Sequence, residues 1–365
     1  MTTSSLHPPL AAARRFTRRY GQPLWVAGLT ICAAIFFFQG RSDLSQAMDA
    51  ISGSSPVWFG PMIAAQLAIL IFAAGTYRIV LRHIGHRLGL RRLFALHMER
   101  KVIGTVVPAG GPASVYVFVR GLGRDKVSSE DALFTIGVRS LMGFSSFISL
   151  LLPAIVFVRP DGYLLAGGLG LIGSFVLLVG AIAWLTRRPA TLRRIEQRVP
   201  ARATGMVERL RDHRLGLNDL GMPYLLALLS QLANAATLAA ALYALGHSPS
   251  IVSILAAYTV GTAAVTLAPA FQGIGIVEVS MAVTLQQFGI PPGIAIGATL
   301  LYRGGTVWFP LLLGAVFQAG RWIPIDGSGR FTIWSRQRLA AYAPIGFFSS
   351  GVAAALVLAA LVIVL

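Results

Sequence analysis

Val102-Ile-Gly-Thr-Val-Val-Pro-Ala-Gly-Gly-Pro-Ala-Ser-Val-Tyr-Val-Phe-Val119 is the stretch on which the layout of this chain turns. It is apolar enough to enter a bilayer, yet Pro108, Gly110, Gly111 and Pro112 interrupt a helix running across it. If it crossed, every later loop would change sides. The segment from Arg187 to Arg214, which holds nine arginines, would then lie outside. Basic loops are retained in the cytoplasm, so residues 102–119 are expected to be re-entrant, entering and leaving on the cytoplasmic face.

The rest of the chain supports a membrane setting. It has 365 residues, 55% hydrophobic and 12% charged, and a mean hydropathy of +0.71. That is too little charge to cover a soluble domain, so the solvent must be lipid. A hydrocarbon core of about 30 Å takes about 20 apolar residues as helix. Runs suited to this are Leu24 to Phe38, Trp58 to Thr76, Leu133 to Val158, Tyr163 to Leu185, Pro223 to Leu245, Ile251 to Leu267, Ile274 to Phe288, Ile294 to Ala319 and Ala341 to Leu365. The expectation is an all-α polytopic membrane protein with about nine transmembrane helices plus re-entrant or broken segments. A cleaved signal peptide is the other reading of the first run. Phe36, Phe37 and Phe38 stand where a small-residue cleavage site belongs, which favours an uncleaved anchor.

Residues 1–23 read as a basic cytoplasmic N-terminus and residues 24–365 as one transmembrane domain. Within it, residues 187–221 form a cytoplasmic linker. Leu192, Ile195, Val199, Met206 and Leu210 share helical spacing there, which suits either an amphipathic helix in the inner interface or a solvated connector. No soluble domain is expected before, after or within the membrane core.

The formal charge is +18, and 29 of the 31 basic residues are arginine. Nucleic-acid binding needs a basic face on a soluble domain, and none is visible. The charge reads instead as a topology signal and as contact with anionic lipid head groups. With this topology Arg41 and Arg159 lie outside, Arg139 and Arg303 lie in the membrane, and all other basic residues are cytoplasmic. Cys32 is the only cysteine. His7, His83, His86, His97, His213 and His247 fall outside the apolar runs, and His83 and His86 lack carboxylate company in sequence. No metal or cofactor is expected.

Charges inside hydrocarbon are costly and mark the natural place for function. Glu278 is the only acidic residue in the expected spans, and Arg139 and Arg303 are the only basic ones. A Glu278–Arg303 pair is the first choice, either as a lock between helices or with an arginine holding an anionic group such as a lipid phosphate. Both residues adjoin a broken region, residues 267–278, where Pro269, Gly273 and Gly275 interrupt the helical ladder and Gln272 is a further candidate for contact with lipid. The first half carries a weaker counterpart. Arg139 follows Pro108 by 31 residues, with Gly110 and Gly111 between, and Arg303 follows Pro269 by 34. Oppositely oriented broken segments in two halves are the pattern of an inverted-repeat transporter. Gln231 and Asn234 share a helix face and read as interhelical hydrogen-bonding glue. No Ser/His/Asp set, paired carboxylates, metal cluster or P-loop is visible, so no enzyme is expected.

Leu267-Ala-Pro-Ala-Phe-Gln-Gly-Ile-Gly-Ile-Val-Glu278, then Phe288-Gly289-Ile290, then Leu300-Leu301-Tyr302-Arg303 resemble the C-terminal signature of the lysylphosphatidylglycerol synthase/flippase transmembrane-region family. Pro269, Gly273, Gly275, Glu278, Tyr302 and Arg303 match that pattern; residues 107–120 and Arg139 resemble its earlier Pro/Gly segment and arginine helix. Phe271 and Gln272 depart from its small residues, and Val138 and Met142 stand where acidic neighbours of the first arginine are usual. The resemblance covers about residues 20 to 320 and implies a bacterial inner-membrane protein, N-terminus cytoplasmic, that moves an anionic or aminoacylated phospholipid between leaflets. It also implies that synthesis of the lipid belongs elsewhere, in a fused soluble domain not seen in this sequence.

The leading expectation is therefore a lipid flippase-like transporter, with Arg303 and Arg139 at the phosphate. The alternative is a non-transporting scaffold that recruits a separate lipid-synthesis or envelope-assembly protein through its basic loops. An integral-membrane lipid transferase is the third reading. Expected partners are membrane phospholipids, and a homo-oligomer is left open.

Overall fold

The computed structural model describes residues 41–106, 110–158, 169–170, 172–173, 175–177, 217–267 and 275–319. Among these residues there are helices, turns and no strands. The order is α1 (Arg41–Ser52), a 3-10 turn at Pro56–Trp58, α2 (Phe59–His83), α3 (Leu90–Val106), α4 (Gly110–Gly123), α5 (Ser129–Val158), α6 (Leu217–Ala244), α7 (Ile251–Leu267), α8 (Ile276–Gln287) and α9 (Pro292–Arg303). A π-helical turn, Gly304–Trp308, then leads into α10 (Phe309–Ala319).

Helix is the form that satisfies every backbone group without water, and local chemistry sets where each one starts. At the start of α5 the Ser128 hydroxyl accepts the Asp131 N–H at 3.1 Å. Glu130 and Asp131 stand in that first turn, against the positive helix end. α9 opens on Pro292, where a missing N–H costs nothing.

The segments Pro56–His83, Ser129–Val156 and Asp219–Ala244 are long and apolar enough to cross a membrane, and they form the frame. α2 and α6 run antiparallel. Val80 clusters with Leu220 and Tyr224 near one end, and Gly75 meets Leu226 further along. Gln66 Nε2 donates to Thr237 Oγ1 at 2.9 Å, and Trp58 stacks on Tyr243 at the other end.

A helical hairpin follows each of these two helices: α3 packs against α4, and α7 against α8. Because α2 and α6 are antiparallel, the hairpins start at opposite ends of the frame. Each is followed by a long helical stretch, α5 in the first half and α9 through α10 in the second. These cross over to the other half's hairpin: Ala263 of α7 packs against Phe147, Ile148 and Leu151 of α5. Gly314 of α10 lies against Val102 and Met98 of α3. The arrangement is an inverted repeat.

Each half has its own apolar core. Tyr77, Leu81, Leu93, Phe118, Leu122 and Leu133 fill the first; Leu238, Leu242, Tyr258, Met281, Leu285 and Tyr302 fill the second. α1 lies across α9, where Gly293 and Gly297 admit the Gln46 side chain and the Ala47 carbonyl.

Several expectations change. Residues 102–119 fall within a helical hairpin, but it runs from Leu90 to Gly123, well beyond them. The helix is interrupted where Pro108, Gly110, Gly111 and Pro112 were expected to interrupt it: α3 runs to Val106 and α4 from Gly110, with Pro112 in its first turn, where proline is tolerated. α7 and α8, each read from sequence as a crossing, have 17 and 12 residues. At 1.5 Å per residue they reach about 26 and 18 Å, so α8 falls short of a core of about 30 Å. Together they make a second hairpin. The Pro223 to Leu245 run begins as helix six residues earlier, at Leu217. The runs Leu24 to Phe38 and Ala341 to Leu365, nearly all of Tyr163 to Leu185 and the linker up to residue 216 lie outside the described residues.

Candidate functional site

Glu278 stands in the first turn of α8, the returning arm of the second hairpin. The turn is entered through Gly275 at φ 93°, in the left-handed region where glycine alone avoids strain. The Glu278 carboxylate accepts the Gly275 N–H at 2.6 Å through Oε2 and Arg303 Nε at 2.7 Å through Oε1. Arg303 closes α9, and its side chain is 7% exposed against 19% for Glu278. The charge pair expected from sequence is therefore formed, and it ties the hairpin tip to the long helix that follows. The π turn begins at the next residue, and its Gly305 touches Thr237 and Gln66 of the α2–α6 frame. Such turns insert one residue into the ladder and recur at functional sites. Tyr302 is buried in the second core beside the pair.

The first half holds a matching arginine in different company. Arg139 lies on α5, the helix after the first hairpin, as Arg303 lies on the helix after the second. Its guanidinium sits over the Tyr77 ring, 5.2 Å from the centroid. Arg100 Nη1 donates to the Tyr77 hydroxyl, and its guanidinium lies 5.9 Å from the Phe118 centroid. The His97 ring is 5.7 Å from that of Tyr77. Lys101, one residue beyond Arg100, is in Coulombic reach of Arg139 and Arg303 together. Each half thus sets arginine side chains beside its own hairpin. Planar guanidiniums over aromatic rings, with an ammonium beside them, are suited to binding an anionic oxygen group such as phosphate.

Of the residues singled out in the sequence, Arg303, Glu278 and Gly275 come together, Tyr302 adjoins them and Arg139 faces the same interior. Gly110 and Gly111 open α4, with the Gly111 carbonyl accepting the Ser114 hydroxyl at 2.8 Å. Pro108, Pro269, Gln272 and Gly273 lie outside the described residues. Gln231 acts as glue: its Nε2 donates to the Gly143 carbonyl at 3.1 Å and its Oε1 accepts from Tyr258, joining α6 to α5 and α7.

Tyr77, His97, Arg100 and Lys101 escaped the sequence reading, which put Arg100 and Lys101 in a cytoplasmic loop. The signal was there: Leu93, Leu96, His97 and Arg100 fall at i, i+3, i+4 and i+7, one helix face. His83 and His86 also turn out to have carboxylate neighbours, Asp219 at 3.5 Å and Asp131 at 2.9 Å, supplied by distant parts of the chain. No group of three potential metal ligands occurs among the described residues.

Fold and site together define an integral membrane protein of inverted-repeat build with cationic side chains beside its hairpins. Over residues 25–314 the chain matches the family described as the lysylphosphatidylglycerol synthase TM region, and it belongs to that family. Membership relates it to membrane proteins of lysylphosphatidylglycerol handling. No curated protein matches the chain.

Proposed function

We propose that this chain is a flippase-like transporter that moves an anionic or aminoacylated phospholipid between the leaflets of a bacterial inner membrane, with its basic loops and N-terminus in the cytoplasm. The observation that carries the reading is the Glu278–Arg303 pair at one hairpin and Arg100 and Arg139 against Tyr77 at the other, the two hairpins starting from opposite ends of the frame. Two hairpins that start from opposite ends of the frame, in an inverted repeat, suit alternating access by rocking one half against the other. The family supports the lipid class.

The test is translocation of fluorescent phosphatidylglycerol and lysylphosphatidylglycerol by proteoliposomes holding the full chain. Arg303→Ala should lower the rate at least about tenfold, as expected when a charge-assisted contact worth ~1.5–3 kcal/mol is lost. Translocation no faster than in protein-free vesicles overturns the transport reading. An unchanged rate in the variant removes Arg303 from the path.

A further inference from the structure

The charge around Tyr77 is out of balance in a way that bears on which head group the site takes. Arg100 and Arg139 converge there, and Lys101 is the next residue after Arg100 on α3. On the acidic side, Glu278 has one oxygen on Arg303 and the other on the Gly275 N–H. Glu99 is the nearest carboxylate in sequence, but at 100° per residue it lies roughly 200° around α3 from His97, away from the Tyr77 face. Among the described residues, the Arg139 and Lys101 side chains have no carboxylate and no hydrogen-bond partner. His97 is 7% exposed, and its Nδ1 is buried without a partner.

Cations gathered this closely repel one another, and an anion that joins them relieves the repulsion. A lysyl or other ammonium head group would add a further positive charge. The carboxylate that could receive an ammonium is already engaged. A phosphodiester brings one negative charge, and a phosphate monoester or diphosphate brings about two or more. Phosphate oxygens match the geometry as well: guanidiniums supply paired donors, Lys101 supplies a point charge, and the buried imidazole supplies either a donor or an acceptor for a protonated oxygen.

We propose that Tyr77, His97, Arg100, Lys101 and Arg139 form the head-group site for a lipid ending in a phosphate monoester or diphosphate without an amine. This rests on the transport reading for its role but on the charge cluster for its chemistry. Arg100 and Arg139 use the Tyr77 hydroxyl and ring as a floor, which holds their guanidiniums in place before the anion arrives. The site selects by charge: phosphatidic acid over phosphatidylglycerol, and either over lysylphosphatidylglycerol.

The experiment measures binding and translocation separately on the full chain. Native mass spectrometry from nanodiscs holding equal amounts of phosphatidic acid, phosphatidylglycerol and lysylphosphatidylglycerol reports retained lipid; glycerol phosphate and inorganic phosphate in solution form a second arm. Phosphatidic acid should be retained at least about tenfold over lysylphosphatidylglycerol, and Lys101→Gln or Arg139→Gln should erase that preference, the loss expected for one charge-assisted contact. Lys101→Gln, at a half-buried side chain, guards against a folding artefact at Arg139. Retention of lysylphosphatidylglycerol equal to or above phosphatidic acid overturns the proposal while leaving flippase activity standing. Phosphatidic acid retained through Arg139 without any lipid translocated supports the site and removes the transporter. Displacement of bound lipid by glycerol phosphate or inorganic phosphate at equal concentration overturns the lipid assignment.

Discussion

Glu278 has two jobs at one carboxylate, capping the start of α8 through the Gly275 N–H and neutralising Arg303. Removing a partner from a buried ion pair strands the other charge, which typically costs ~3–5 kcal/mol, whereas replacing both by apolar groups is often nearly neutral. Glu278→Ala should therefore lower the thermal midpoint of the protein in nanodiscs by several degrees. The double variant Glu278→Leu with Arg303→Leu should recover most of that loss and yet remain inactive in lipid translocation. A double variant no more stable than Glu278→Ala would show that the carboxylate acts through its cap on α8 rather than through the arginine. Arg139 is different in kind: its close contact is the Tyr77 ring, so Tyr77→Leu should loosen it and weaken anion retention without exposing a buried carboxylate.

The hairpins depend on close approach at glycines. Gly261 of α7 lies directly against Met281 and Val277 of α8, and added side-chain atoms there would push the arms apart. Overpacking of this sort costs ~1–3 kcal/mol. Gly261→Leu should cut the yield of folded protein on size exclusion, while Gly221→Ala, with open space around its Cβ position, should not. Equal behaviour of the two would mean that the α7–α8 contact contributes nothing to folding. The breaks that define these hairpins were legible in the sequence, because Pro and Gly act locally. Their extents were not. Residues 90–101 include Arg91, Arg92, Arg100 and Lys101, so an average over hydropathy reads them as loop. Only the apolar face of Leu93 and Leu96 against Phe118 and Leu122 makes them the first arm of a hairpin. The Glu278–Arg303 pair was legible by elimination, because isolated charges in hydrocarbon seek each other. The stacking of Arg139 on Tyr77 was not, since it exists only once α5 has packed against α2.

At the scale of the whole molecule, antiparallel packing of α2 on α6 makes the two hairpins inverted copies in space, although their sequences share little beyond a Pro/Gly break and a later arginine. Each long helix leans on the other half's hairpin, so movement of α5 carries α7 and movement of α10 carries α3. On the proposed transport reading, a rocking motion exposes the cation cluster to one side while closing it to the other. The geometry makes a sided prediction. The α4–α5 turn carries exposed Arg124 and lies at the end of the frame where His83 meets Asp219, and the α6–α7 turn carries exposed Ser248 at the opposite end. In a Cys32→Ser background, Arg124→Cys should resist a membrane-impermeant maleimide in intact cells and react after permeabilisation. Ser248→Cys should react in both conditions. Labelling of both from the same side would break the inversion of the halves, and with it alternating access as the way a head group passes from one leaflet to the other.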